Sequence, residues 1–344
     1  MTTVVLAAGG DVRVLGMSVR ERNRRVATRA HAIVVFDERD APPESARLLI
    51  VPPHVLLEAP FIERLPPGRS DAAELLNAFE SEAASGAAFD VSTREGCRRA
   101  ANTILERTGK PSDGWVARHW NRPISRRISG WLLSIGFTPW HASMMTLIVG
   151  VLAALLAVRP GYAALVGTGL LFQLASVLDG VDGEMARATL TESEAGARLD
   201  TLVDHITYVA CFLGVGIGWV REGVGSQALW WTLAILVALA VSIARGARFV
   251  SRHAPEKSGG AAFVNRALRR AARDSGRPAL WMVALTFEVI RRDLFAVVFL
   301  VVALLGQRVL IPGLVAGGIV LANAAFTTYR RELSVAAMAE ARAS

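Results

Sequence analysis

From about residue 141 onward the chain is written as long apolar stretches separated by short polar ones. Six stretches, at about 141–158, 161–182, 199–220, 227–248, 283–305 and 308–328, come close to the ~20 apolar helical residues needed to span a ~30 Å hydrocarbon core. A soluble protein would have to bury six such helices, with almost no polar face, within about 190 residues. The expected architecture is therefore an all-α polytopic membrane domain of six transmembrane helices, preceded by a small soluble region.

Charge placement supports this and gives an orientation. The net charge is +8, almost all of it arginine, since Lys110 and Lys257 are the only lysines. Arg252, Lys257, Arg266, Arg269, Arg270, Arg273 and Arg277 fall between the fourth and fifth stretches, Arg330 and Arg331 follow the sixth, and Arg122, Arg126 and Arg127 precede the first. The opposite connections hold only Arg159, Arg221 and Arg308. The positive-inside rule then places both termini in the cytoplasm, with the whole in the cell membrane as a multi-pass protein. Membrane topology accounts for the basic excess, so no nucleic-acid partner is expected. Residues 2–8 are too short and too poor in flanking charge for a cleavable signal. Cys97 and Cys211 sit in dissimilar surroundings and give neither a disulfide framework nor a cysteine zinc site.

Ahead of the membrane region, Thr3–Ala8, Ala32–Phe36 and Leu48–Val51 read as short strands, with helical patterns such as Asp71–Ala84 between and after them. Residues 1–95 are thus expected to form a small α/β unit. The opening strand and Gly9-Gly10 resemble the start of a sugar-phosphate nucleotidyltransferase domain. Asp11-Val12-Arg13-Val14-Leu15 stands, however, where that family continues with its phosphate-binding run. A shortened, catalytically silent relative and an unrelated α/β cap are the two readings. Residues 96–136 are a linker whose Pro123–Ile135 portion alternates Arg and Ser with Ile, Trp and Leu, as an interfacial helix would. Residues 137–335 form the membrane domain and 336–344 a cytoplasmic tail.

The chemistry is concentrated in Leu178–His205. Asp179 and Asp182 are three residues apart near the end of the second span, so they lie about 60° apart around a helix. Asp200 and Asp204 are four apart at the start of the third span. A short turn joins the two helices, which makes them antiparallel neighbours and lets the four carboxylates converge. Such a group is costly at membrane depth unless neutralised, and an all-oxygen donor set suits Mg²⁺, Mn²⁺ or Ca²⁺ better than zinc. Gly180, Gly183 and Ala186 leave room beside the acids, and Arg187 can present a guanidinium to a phosphate. Together these features describe a pyrophosphate site.

The full spacing, Asp179-x2-Asp182-Gly183-x2-Ala186-Arg187-x8-Gly196-x3-Asp200-x3-Asp204, reproduces the signature of the CDP-alcohol phosphotransferase (phosphatidyltransferase) family, and the chain resembles that family over about residues 105–335. The resemblance implies one or two divalent ions, Mg²⁺ or Mn²⁺, held by Asp179, Asp182, Asp200 and Asp204. It implies a CDP site lined by Asp179, Gly183, Ala186, Arg187, Gly196 and Asp200, with Asp204 as general base. The implied reaction is attack of an alcohol on the β-phosphorus of a CDP-alcohol, CDP-diacylglycerol foremost, with release of CMP. The run Gly109–Ser129 is similar to the approach to the first span in members fused to a nucleotidyltransferase domain, including those that join CDP-inositol to inositol phosphate. A polyol phosphate acceptor, inositol phosphate first and glycerol phosphate second, is the corresponding expectation.

Other residues divide between two readings. Lys110, Arg118 and Arg122 would touch an acceptor phosphate or lipid headgroups. Arg245 and Arg248, with Arg252, share a helical face and would bind that phosphate or simply anchor the fourth span. His205 points away from Asp204, Glu184 lies off the ligand face, and Glu192 and Glu194 sit in the turn. Trp230 and Trp231 read as an aromatic belt. Gly313, Gly317 and Gly318 suggest close helix packing or a homodimer face. The rival function, a divalent-cation transporter, would need acids toward the other membrane face, which the sequence does not supply.

Overall fold

The computed structural model describes residues 2–6, 12–36, 47–63, 68–71, 87–110, 113–253, 260–290 and 292–343. Gly9, Gly10, Asp11, Lys257, Arg291 and nearly all of the helix expected over 71–84 lie outside the described residues. The chain divides into two compact units that interleave along the sequence. One comprises Met1–Gly109, Ile124–Ala142 and Gly180–Arg198; the other comprises Lys110–Pro123, Ser143–Asp179 and Leu199–Ser344.

The first unit opens with β1 (Thr2–Leu6), β2 (Arg13–Val14), β3 (Met17–Ser18), α1 (Val19–Arg29) and β4 (Ile33–Val35). It continues with β5 (Arg47–Val51), β6 (Val55–Leu57), α2 (Ala59–Glu63), β7 (Gly68–Asp71), β8 (Ala88–Asp90) and α3 (Arg94–Glu106). The strands expected near residues 3–8, 32–36 and 48–51 are β1, β4 and β5, and they join β7 in a parallel sheet ordered β4-β1-β5-β7. Parallel pairing needs a crossover, and α1 supplies it between β1 and β4. Ser18 caps α1, its hydroxyl accepting the Glu21 amide at 3.3 Å, which follows from the Ser-x-x-Glu spacing. Leu15 and Gly16 both have positive φ (52° and 74°), as the tight turn between β2 and β3 requires. Val4, Val26, Leu49, Val51 and Ile62 form the core.

Helix α4 (Arg122–Ser134) follows a π-helical turn at Ala117–Asn121. Its polar residues Ser125 and Ser129 are buried, whereas Ile124, Trp131 and the adjoining Ile135 are exposed. A helix that turns serines inward and Ile and Trp outward is suited to an apolar surrounding.

Membrane-type helices fill the second unit: α5 (Pro139–Ala157, its first turn in the other unit), α6 (Tyr162–Thr189, continuing into the other unit), α7 (Glu194–Trp219, starting there) and α8 (Gln227–His253). They are followed by α9 (Gly260–Ser275), α10 (Pro278–Ile290), α11 (Arg292–Leu304), α12 (Leu310–Thr328) and α13 (Arg330–Ala343). Among the described residues five helices are long and apolar enough to cross a membrane: α5, α6, α7 with its continuation to Val224, α8 and α12. The stretch at 283–305, expected as a single span, is described as α10 and α11, on either side of residue 291, which lies outside the described residues.

Small residues set the spacing of α5 and α7. A Cβ on Gly150 would lie 2.4 Å from Thr207, and one on Gly214 would lie 2.5 Å from the Ala154 carbonyl oxygen. The two backbones therefore approach as closely as side chains permit, a membrane-helix solution to packing without a hydrophobic driving force. Contacts ascend both helices together, so α5 and α7 run parallel.

Candidate functional site

Asp179 lies on α6, and Asp200 and Asp204 lie in the early turns of α7. Each is partly buried and offers a carboxylate oxygen, and these oxygens all lie within 4.8 Å of one another. The i,i+4 spacing stacks Asp200 and Asp204 on one face of α7, and that face meets Asp179. The donor set is all carboxylate oxygen, which fits a hard divalent cation.

The floor beneath these acids is aromatic. Phe172 is two turns before Asp179 on α6, and Tyr208 is one turn after Asp204 on α7, so each lies below its acid on the same helical face. Their rings meet edge-on at 5.4 Å. Phe172 also packs edge-on against Phe299 at 5.3 Å, and Phe212 lies 5.8 Å from Phe295. Phe172, Phe212, Phe295 and Phe299 are all buried. This cluster occupies the path along the helices away from the carboxylates.

Asp182, Gly183, Ala186, Arg187 and Gly196 belong to the first unit. Asp182 is buried, and its carboxylate accepts the Gly183 amide. Arg187 Nε donates to the Thr108 carbonyl at 2.7 Å. Its guanidinium folds back over Gly183, where a Cβ would sit 3.0 Å from Nη1. Gly183 thus makes room for Arg187 itself. Ala186 is partly buried. Exposed Gly196 is the third residue of α7 and donates its amide to Ser193 Oγ at 3.1 Å, the capping bond of that helix.

Two of the arginines assigned to an acceptor phosphate, Arg122 and Arg245, have protein partners. Arg122 is buried and holds Asp113 through two hydrogen bonds, Nε to Oδ2 at 2.8 Å and Nη2 to Oδ1 at 2.9 Å. Burial by itself pushes the Asp113 carboxyl up. The Arg122 guanidinium and the Lys110 amide outweigh it and hold the group below the usual carboxylate range. Arg245 donates to Asn323 Oδ1 at 3.0 Å on α12, and Arg248 is exposed.

Sequence reasoning missed Glu184. It is fully buried and accepts hydrogen bonds from Ser125 and Ser129 of α4, each at 2.7 Å. The four-residue spacing of the two serines was the available signal, because it puts both hydroxyls on one helical face.

Residues 138–329 match the family model described as CDP-alcohol phosphatidyltransferase. The chain belongs to this family. Curated relatives named bifunctional IPC transferase and DIPP synthase are similar to it. The one from Thermococcus kodakarensis is 35% identical over 151 residues, covering 44% of this chain and 33% of the relative. Those from Archaeoglobus fulgidus and Aquifex aeolicus are each 37% identical over 118 residues, covering 34% of this chain and 23% and 26% of the relatives. The similarity therefore spans about a third or less of each relative's length. As a member of the CDP-alcohol phosphatidyltransferase family with several membrane-length helices, the chain is a multi-pass membrane protein.

Proposed function

We propose that the protein transfers a substituted phosphoryl group from a CDP-alcohol, CDP-diacylglycerol foremost, to the hydroxyl of a small alcohol, releasing CMP. The observation that carries this reading is the convergence of Asp179, Asp200 and Asp204 within 4.8 Å in a chain that holds every position of the family signature. These three, with Asp182, would hold Mg²⁺ or Mn²⁺. When bound, such an ion neutralises the donor's diphosphate and stabilises the charge developing on the leaving phosphate. Arg187, with Gly183, Ala186 and Gly196 around it, would grip the diphosphate. Asp204 would take the acceptor's proton as its oxygen bonds to the β-phosphorus and the bond to CMP breaks.

A polyol phosphate, inositol phosphate or glycerol phosphate, is the proposed acceptor class, with Arg122, Arg245 and Arg248 as its phosphate contacts. The similarity of Gly109–Ser129 to fused family members that join CDP-inositol to inositol phosphate supports it, and makes a soluble CDP-inositol donor the second reading. Cation transport is disfavoured by the aromatic cluster of Phe172, Tyr208, Phe212, Phe295 and Phe299 below the acids. The reading further includes six membrane crossings, with α10 and α11 together supplying the fifth. It includes α4 lying in the cytoplasmic interface, cytoplasmic termini in the cell membrane, and a degenerate nucleotidyltransferase-like fold for residues 1–95. A homodimer is supported by Gly313 and Gly317, where an added Cβ would meet nothing within 4 Å.

The test is purified protein with CDP-diacylglycerol or CDP-inositol, Mn²⁺ and a panel of alcohols. CMP release that depends on both metal and an added alcohol is expected. Absence of CMP release with every donor would overturn the reading.

A further inference from the structure

The first unit contains the C-terminal end of α6 and the turn after it, together with the α/β sheet, and α1 connects the two. Asn23 ties α1 to β6 on both sides, donating to the Val55 carbonyl at 2.7 Å and accepting the Leu57 amide at 2.9 Å. Beside it, buried Arg22 donates to the Ala188 carbonyl and pairs with Glu58 at 2.6 Å. Arg25 donates to the Thr189 carbonyl at 2.8 Å, and Arg29 pairs with Glu192. The last carbonyls of a helix lack intrahelical partners and carry the negative end of its dipole. Arg22 and Arg25, on one face of α1, answer that need for α6, and Arg29 on the same face holds the turn that follows.

The next residue is held as well. Leu190 adopts φ 56°, a left-handed conformation that costs a side chain ~1–2 kcal/mol and is ordinarily left to glycine at this position. Its side chain packs against the α/β core of Val4, Val26, Leu49 and Ile62, so a strained turn is seated in the domain. Thr108, just beyond α3, holds Arg187 Nε. The β2–β3 turn also abuts α4: a Cβ on Gly16 would fall 2.2 Å from the Leu133 carbonyl oxygen.

We infer that the N-terminal α/β domain is a positioning cap for the α6–α7 turn, fixing Arg187 and the start of α7 and so the grip on the donor's diphosphate. This role needs no nucleotide chemistry from the domain, and it rests on the reading of Arg187 as a donor contact given above. Arg22, Arg25 and Leu190 are then positioning residues. Their loss weakens donor binding and leaves Asp179, Asp200 and Asp204, which belong to the other unit, as they were.

The test uses the full chain carrying Leu190→Asn, or Arg22→Ala together with Arg25→Ala. Asparagine tolerates a positive φ but does not suit an apolar seat, which separates strain from seating. Donor KM is expected to rise about tenfold with little change in kcat, and Mn²⁺ affinity to stay within about twofold. Amides 188–196 should exchange hydrogen faster, and Leu190→Met and Arg25→Lys should restore most of the loss. Wild-type KM in both variants, or faster exchange without any change in KM, would overturn the cap. If the wild-type protein releases no CMP from any donor, the functional reading fails separately. Exchange at 188–196 then decides alone: acceleration in Leu190→Asn supports the cap, and unchanged exchange overturns it.

Discussion

Asp179 and Glu184 stand five residues apart on the same helix, yet their surroundings differ in kind. Asp179 meets Asp200 and Asp204, so its neighbours are further acids. Glu184 is more deeply buried, but Ser125 and Ser129 offer it hydroxyl donors at 2.7 Å. A buried carboxylate with good donors serves packing and register. Acids grouped against one another are what the proposed cation would hold. Burial alone would have ranked the two groups the other way round.

The contrast can be broken most sharply by neutralising one member of each group. Asp200→Asn should reduce CMP release by ~10²–10³-fold without lowering thermal stability in detergent, because relieving like-charge crowding offsets lost contacts. Glu184→Ala should do the reverse. It removes the carboxylate acceptor of two buried hydroxyls and should cost about 1–3 kcal/mol in thermal or denaturant unfolding, whereas Glu184→Gln keeps an acceptor and should cost less. If Glu184→Ala proves as stable as wild type, the structural assignment of that cluster fails. The α5–α7 seam sharpens the comparison further. Gly150→Ala forces a methyl against Thr207, and about 1–3 kcal/mol of overpacking cost should accompany a modest loss of turnover, read from unfolding and CMP release together.

Asp113 is the intermediate case, a carboxylate answered by a guanidinium, and its effect should be the smallest. Its folded carboxyl is held below the ordinary range despite burial. The pair's contribution is therefore complete above the unfolded value of about 4 and is lost as pH falls through the lowered one. The stability difference between wild type and Asp113→Asn should stay constant above about pH 5 and shrink below about pH 4. A difference that instead grows on acidification would contradict the ion-pair account.

The grouping of Asp179, Asp200 and Asp204 was legible in the sequence because its information is local. Three- and four-residue spacings fix a helical face, and a short turn leaves two helices little choice but to lie side by side. The strands β1, β4 and β5 were legible for the same reason, as short β-branched runs between turn residues. What escaped depends on distant partners. Nothing near Glu184 announces Ser125 and Ser129, which lie more than fifty residues earlier. Gly183 was read as space for a ligand or a neighbouring helix, and the structure fills that space with Arg187. The seat of Leu190 in the α/β core was invisible because a leucine after a helix gives no sign of a positive φ.

The account stands on Asp179, Asp200 and Asp204 forming a divalent-cation site that the reaction requires. A titration of purified protein with Mn²⁺, followed by electron paramagnetic resonance in the wild type and in Asp200→Asn, tests this most directly. The account predicts saturable binding in the wild type that is lost in the variant, with CMP release lost in parallel. Equal Mn²⁺ binding by the two proteins, or CMP release that continues in excess chelator, would contradict it.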